Sequence, residues 1–152
     1  MKKVKKTYNR VVDEVEVAMA GMTPVQSPVR HLFSPGMYAR EVTIPAGTLL
    51  TSKIHNTEHI YIISKGSVSV IREDGQEDLS APFMGTTMPG TRRVVYTHEE
   101  TVWTTFHPTA ICPKSESEED LEKAISEIEE LIIEKHENKL LTKIKKEELC
   151  HG

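Results

Sequence analysis

The sequence predicts an all-β core followed by an amphipathic α-helical extension. Two observations carry this. From Met37 onward, over about seventy residues, short β-rich runs alternate with turn residues and no helical pattern intervenes. After Pro113 the apolar period changes abruptly from two to three and four. The implied divisions are an N-terminal arm and irregular segment over 1–36, a β-barrel or sandwich over 37–112, and an acidic helical tail over 113–152.

Residues 1–10 read as a solvated arm carrying Lys2, Lys3, Lys5 and Lys6, and residues 11–20 as an edge strand or a short helix. Gly21, Pro24, Pro28, Pro35 and Gly36 then break regular structure repeatedly, and His31 among them reads as exposed or satisfied within the core. The alternating run Tyr38 to Ile44 ends at the turn Pro45-Ala46-Gly47. Leu49 to His55 and His59 to Ile63 read as two strands separated by Asn56-Thr57-Glu58. On the first, period-2 geometry puts Lys53, His55 and Thr57 on one face and Ile54 on the other. A strand from Ser67 to Arg72 follows Gly66, and Asp74-Gly75 supplies a hairpin turn. Further strands fall near Leu79, Thr86–Met88, Arg92–Thr97 and Thr101–His107. In the tail, Ser115 and Glu118 make a capping box with Ser117 as a competing N-cap. The stripe Leu121, Ala124, Ile125, Ile128, Leu131, Ile132 blurs at residues 136–139 and resumes at Leu140, predicting one kinked helix or two short ones.

Composition excludes several classes. Hydrophobic content of 38% with 28% charged residues is globular, and no run approaches the length of a membrane span. The basic N-terminus runs into Val-Val-Asp-Glu-Val-Glu-Val, where a secretory leader needs an apolar stretch, so a cytoplasmic protein is expected. Cys112 and Cys150 are far apart and form neither a disulfide framework nor a zinc knuckle. Of the charged groups, twelve acidic and six basic side chains fall within 115–149, and eleven acidic and thirteen basic elsewhere. A slightly basic body with an acidic tail argues against nucleic acid as a partner.

The stretches Gly47 to Gly66 and Gly85 to Arg93 resemble the two motifs of the cupin superfamily, small jelly-roll β-barrels. Counting back from Gly66, His59 falls where that family usually places a glutamate. His55 matches its second motif histidine, and Lys53 stands where the first should be. Gly85, Pro89 and Gly90 fit the second motif, with Arg93 near its histidine position. The whole chain is also similar to cupin-like proteins encoded by bacteriophages, which would place it in the host cytoplasm. The resemblance implies a cupin-type jelly roll with its site inside the barrel mouth. His55 and His59, with His98 or His107 as a third ligand, would hold a divalent metal such as Zn²⁺, Fe²⁺, Ni²⁺ or Mn²⁺. Positive charge from Lys53 and Arg93 would oppose that ion.

The same residues support a different reading. Lys53, His55, His59, Arg92 and Arg93 would converge on one mouth, with Tyr61 and Tyr96 nearby, and such a basic mouth suits phosphate or carboxylate. Alternatively, Arg92 and Arg93 point outward and pair with Glu99, Glu100 or the acidic helix. Three functions follow from these alternatives. The first is a cupin that binds a small anionic molecule, a nucleotide or sugar phosphate, and sequesters or senses it as a phage accessory protein. The second is a metal-dependent isomerase, epimerase or oxygenase, with a metal-free variant using a histidine base and a tyrosine acid. The third is a structural phage component. Homo-oligomerisation through the barrel edge or the C-terminal helix is expected for so small a barrel.

Overall fold

The computed structural model describes residues 2–151, with side chains for 7–148. Helix α1 spans Lys2–Ala20. The strands are β1 Val29–Ser34, β2 Met37–Ile44, β3 Leu49–Thr51, β4 His59–Lys65, β5 Ser67–Arg72, β6 Gly75–Ser80, β7 Phe83–Thr87, β8 Val94–Thr97 and β9 Thr101–Pro108. Helices α2, Glu118–Ile132, and α3, Lys139–His151, close the chain.

The strands form two antiparallel sheets, ordered β1-β2-β9-β4-β7 and β3-β8-β5-β6. From β2 to β9 the chain crosses between sheets at every connection except the β5–β6 hairpin, which is jelly-roll topology. The expected jelly roll is therefore the fold observed. It is built as two facing sheets, with no ladder joining them into a closed barrel among the described residues.

The alternation of each strand supplies the core. Tyr61 and Ile63 of one sheet pack against Val68, Val70, Leu79 and Val95 of the other, with Leu50, Phe83 and Trp103 around them. Burying each such aliphatic side chain contributes roughly 1.5–3 kcal/mol. Gly66 turns the chain from β4 into β5 at φ 92°, and a Cβ there would collide with the Glu100 carbonyl and with Thr101. Only glycine fits both constraints.

Helix α2 starts at Ser117, whose side chain accepts the Asp120 N–H, and Glu118, Glu119 and Asp120 follow in its first turn. Of the two N-cap candidates, Ser117 takes the role. Ala124, Ile128 and Ile132 form the buried stripe. Ile128 and Ile132 cluster with Tyr38, and Phe33, Ile111 and Ile133 pack around them. The buried part of the stripe thus covers β1 and β2 of its own chain, while Leu131 is exposed. The predicted break at 136–139 divides the tail into two helices, with Asn138 Oδ1 accepting the Leu141 N–H at 3.1 Å to start α3.

Three expectations are corrected. The basic arm is not a separate solvated segment: it continues into 11–20, where the helical alternative holds, as one helix. Tyr8, Val12, Val15 and Met19 recur at helical spacing, and Val12 is fully buried. The lysines that suggested a solvated arm lie where side chains fall outside the described residues. The proline-rich stretch contains β1, paired with β2 from Val29↔Val42 to Ser34↔Met37. Finally, the strand expected over Leu49 to His55 ends at Thr51, because the next residues leave the sheet for α2. The Asn56 N–H donates to the Ile132 carbonyl (2.7 Å) and the Glu134 N–H to the Ile54 carbonyl (2.8 Å), giving an isolated His55↔Ile133 bridge. Cys150 and His151 lie in α3 by backbone, and their side chains fall outside the described residues.

Truncating Ile128, which is fully buried, should cost about 2–5 kcal/mol. Urea unfolding of Ile128→Ala tests this. A loss under about 1 kcal/mol would mean that α2 is not docked on β1 and β2.

Candidate functional site

The site is seated by cross-strand register. Tyr38 pairs with His107 across β2 and β9, and His59 pairs with Thr87 across β4 and β7. Ile60 pairs with Phe106, which aligns His59 with His107 on the inner face. His55 comes from the segment clamped to the end of α2. The three rings converge, with centroids 4.5 Å apart for His55–His59, 4.6 Å for His59–His107 and 5.4 Å for His55–His107. One nitrogen from each ring lies within 4.8 Å of the other two.

Burial holds all three rings neutral. It lowers His107 to about 3, helped by the neighbouring His59 and His55 and by Arg40. It also lowers His55 to about 4, with further contributions from His59, Arg40 and Arg93. His59 is lowered by burial and by Arg93, against an opposing hydrogen bond to the Thr57 backbone. Neutral imidazole is the form that binds a metal.

The hydrogen bonds around the rings suit a metal centre. His59 Nδ1 lies 3.1 Å from the Thr57 carbonyl, and the His55 ring bonds the Lys53 backbone. A metal-ligating histidine usually donates its second ring N–H in this manner, which fixes its tautomer. His107 Nε2 sits 3.0 Å from the Thr105 hydroxyl, while its Nδ1 is buried without a hydrogen-bond partner. A buried polar atom without a partner costs about 1–3 kcal/mol, a cost that coordination at that nitrogen would remove. Ligation at 2.0–2.1 Å in a tetrahedral set places nitrogens about 3.4 Å apart. The three histidines therefore fit Zn²⁺, Fe²⁺ or Ni²⁺, whereas Mn²⁺ favours a carboxylate that the cluster lacks among the described residues.

The other sequence candidates separate. Arg93 is 6% exposed, donates to the Thr87 hydroxyl at 2.9 Å and lies 5.3 Å from the Tyr61 ring centroid. No ion pair to a carboxylate forms at Arg93 among the described residues. Tyr61 is buried against Trp103, with ring centroids 4.8 Å apart, and its hydroxyl fills space that a Cβ on Gly85 would occupy. Arg92 faces the opposite way, pairing with Asp13 at 2.8 Å and with Glu16 of α1. Neither alternative raised for Arg92 holds as stated: it is buried, and its partners are Asp13 and Glu16 of α1 rather than Glu99, Glu100 or the acidic helix. Lys53 and Glu58 are exposed, because the segment carrying them is not a strand and its parity does not hold. Tyr96 and His98 are exposed on the outer face of β8 and its following turn, where His98 Nε2 lies 2.7 Å from the Ser69 hydroxyl. His107 rather than His98 therefore joins His55 and His59.

The sequence reading missed Tyr38, Arg40 and Thr87. Tyr38 stacks on His107 at 5.9 Å and its hydroxyl lies 2.5 Å from His31 Nδ1. Its alternating strand carried the signal, but only the cross-strand partner gives it meaning.

No protein-family model and no curated protein matches the sequence. Similar folds occur among solved structures. The cupin domain of Schizosaccharomyces pombe Cnp3 is 17% identical, with a TM-score of 0.48 over 60% of this chain and 66% of that one, just under two thirds of its length. The EutQ ethanolamine utilization protein of Salmonella typhimurium LT2 is 15% identical, with a TM-score of 0.49 over 60% and 76%. A cupin-2 domain protein from Shewanella frigidimarina is 14% identical, with a TM-score of 0.45 over 67% and 98%. At these values the assignment of a jelly roll rests on the strand order of this chain.

The depressed histidines predict a pH dependence of stability. Their folded pKa values lie below the ordinary 6.5, so between that value and about 3–4 the unfolded chain binds more protons than the folded one. Stability of the metal-free protein should fall as pH drops from 7 to 4, and His55→Leu/His107→Leu should flatten that slope. Equal slopes in both proteins, followed by urea unfolding, would contradict burial of neutral imidazoles.

Proposed function

We propose that this jelly roll binds a divalent metal ion through His55, His59 and His107, and that a small anionic molecule occupies the site beside it. The observation that carries the reading is the convergence of three neutral imidazoles with one orphaned ring nitrogen. Bound metal would supply Lewis acidity and open coordination positions. The chain's own residues do the rest. His59 and His55 are oriented by backbone hydrogen bonds, and α2 covers Tyr38, the neighbour of His107. Arg40 and Arg93 act electrostatically on the histidines from the protein side. With three neutral ligands and no carboxylate in the cluster, a dication adds to those positive charges, which favours an anion as the remaining partner.

Of the ligand residues expected from sequence, this reading retains His55, His59, Tyr61 and Arg93. Arg92 is already paired, and Lys53 and Tyr96 face solvent. A metal-free epimerase using a tyrosine acid gains no support from the geometry. Burial raises the Tyr38 hydroxyl to about 12 and raises that of Tyr61 as well, moving both away from proton transfer at neutral pH. The reading as a structural phage component is carried by sequence resemblance alone.

Tag-free protein exposed to Zn²⁺, Fe²⁺ or Ni²⁺ and then dialysed should retain close to one equivalent. Because loss of an outer-shell partner costs about 10–100-fold in affinity, removing a ligand by His107→Ala should cost more. Isothermal titration reads both proteins. Absence of saturable binding in the wild type, or equal affinity in the variant, would sink the reading.

A further inference from the structure

A cavity of ≈ 560 Å³ opens beside the histidine cluster but is lined by none of its histidines. Its walls come from Tyr8 and Asn9 of α1, from Arg72, Glu73 and Asp74 at the β5–β6 turn, and from the segment between β7 and β8 that includes Arg93. That volume suits a small organic molecule.

Two observations in its wall point to negative charge. Arg93 is almost wholly buried, and its polar contact through the guanidinium is the uncharged Thr87 hydroxyl, with the Tyr61 ring beneath. A buried guanidinium without a carboxylate costs several kcal/mol unless something negative meets it. Arg72 reaches Glu77 through one terminal nitrogen, and its buried Nε makes no hydrogen bond, its nearest carboxylate being that of exposed Asp74 at 3.8 Å. The strand register explains why both arginines share a wall. Ile71 pairs with Val94, so Arg72 and Arg93 stand one step beyond that pair, with the inward parity of Val70 and Val95. The acidic groups at the cavity do not neutralise Arg93. Asp74 and Glu73 are exposed at the turn, where solvent screens them, and Asp74 is 84% exposed.

We infer that this cavity is an oxyanion site, in which Arg93 and Arg72 Nε bind the carboxylate or phosphate of a small organic molecule beneath the first turns of α1. Helix α1 is fixed over the site from two sides. The Tyr8 hydroxyl lies 2.9 Å from the Ile71 carbonyl and 2.7 Å from the Arg92 carbonyl, and Arg92 holds Asp13 and Glu16. The inference deepens the anionic half of the proposed function but does not require a metal at the histidines.

The test uses full-length protein stripped of metal and dialysed into chelator-free buffer at fixed ionic strength, titrated separately with inorganic phosphate and with succinate. Saturable binding of at least one probe is expected, weakened about 10–100-fold by Arg93→Gln. Arg72→Gln, at a more exposed position, should weaken it too and provides the reading if the Arg93 variant does not fold. His98→Ala, on the outer face, should bind as the wild type does. No saturable binding of either probe, binding that needs added metal, or equal affinity in Arg72→Gln and the wild type would overturn the inference. Phosphate preferred over succinate indicates a phosphomonoester and the reverse a carboxylic acid, each supporting the oxyanion site. Failure to bind metal alongside retained binding in stripped protein would reject the proposed metal centre and leave the oxyanion site standing.

Discussion

Burial of three uncharged imidazoles side by side is the constraint on which the site depends. Two of the rings are neighbours because β4 and β9 pair in the register that aligns His59 with His107. The third is held by a short main-chain bridge between residue 55 and the end of α2. A one-residue slip of β9 would turn His107 to the outer face and Phe106 inward. The same slip would separate Tyr38 from His107, and with it the contact between the site and the cluster that docks α2. Fold stability and site geometry are thus set by a single register.

Arg92 and Arg93 show how one backbone step divides two identical side chains. Arg92 points toward α1, where Asp13 and Glu16 neutralise it, and the helix is anchored in return. Arg93 points between the sheets, where a hydroxyl and an aromatic face are its contacts. The first arrangement is a buried ion pair satisfied within the chain. The second leaves positive charge in the interior beside an open cavity, an arrangement that gains stability from a bound anion.

Much of the core was legible because its signals are local. Gly47, Gly66 and the Asp74-Gly75 turn marked strand ends, and the resemblance of the two glycine-bounded stretches pointed to a jelly roll. The capped amphipathic stripe of α2 was legible for the same reason. What escaped depends on tertiary contacts. Four lysines masked α1, which is seated by contacts distant in sequence: the Tyr8 hydroxyl donates to the Ile71 and Arg92 carbonyls, and Asp13 and Glu16 pair with Arg92. Prolines and glycines on either side hid β1, a short edge strand that lies between Pro28 and Pro35. Parity arguments worked for His59 and Tyr61 within β4. They failed for Lys53, because the strand ends at Thr51 and residues 54–56 bond the end of α2 instead. The choice between His98 and His107 could not be made by spacing, since one directly follows β8 and the other lies near the end of β9. Register alone puts one inside and the other on the surface.

The most direct measurement is X-ray absorption spectroscopy on the Zn²⁺-loaded protein. The account predicts three imidazole nitrogens at about 2.0–2.1 Å with the remaining position held by oxygen. His107→Ala should lose one imidazole from that shell. A spectrum with no imidazole scattering, or a wild-type shell indistinguishable from that of the variant, would contradict the convergence of His55, His59 and His107 on one ion.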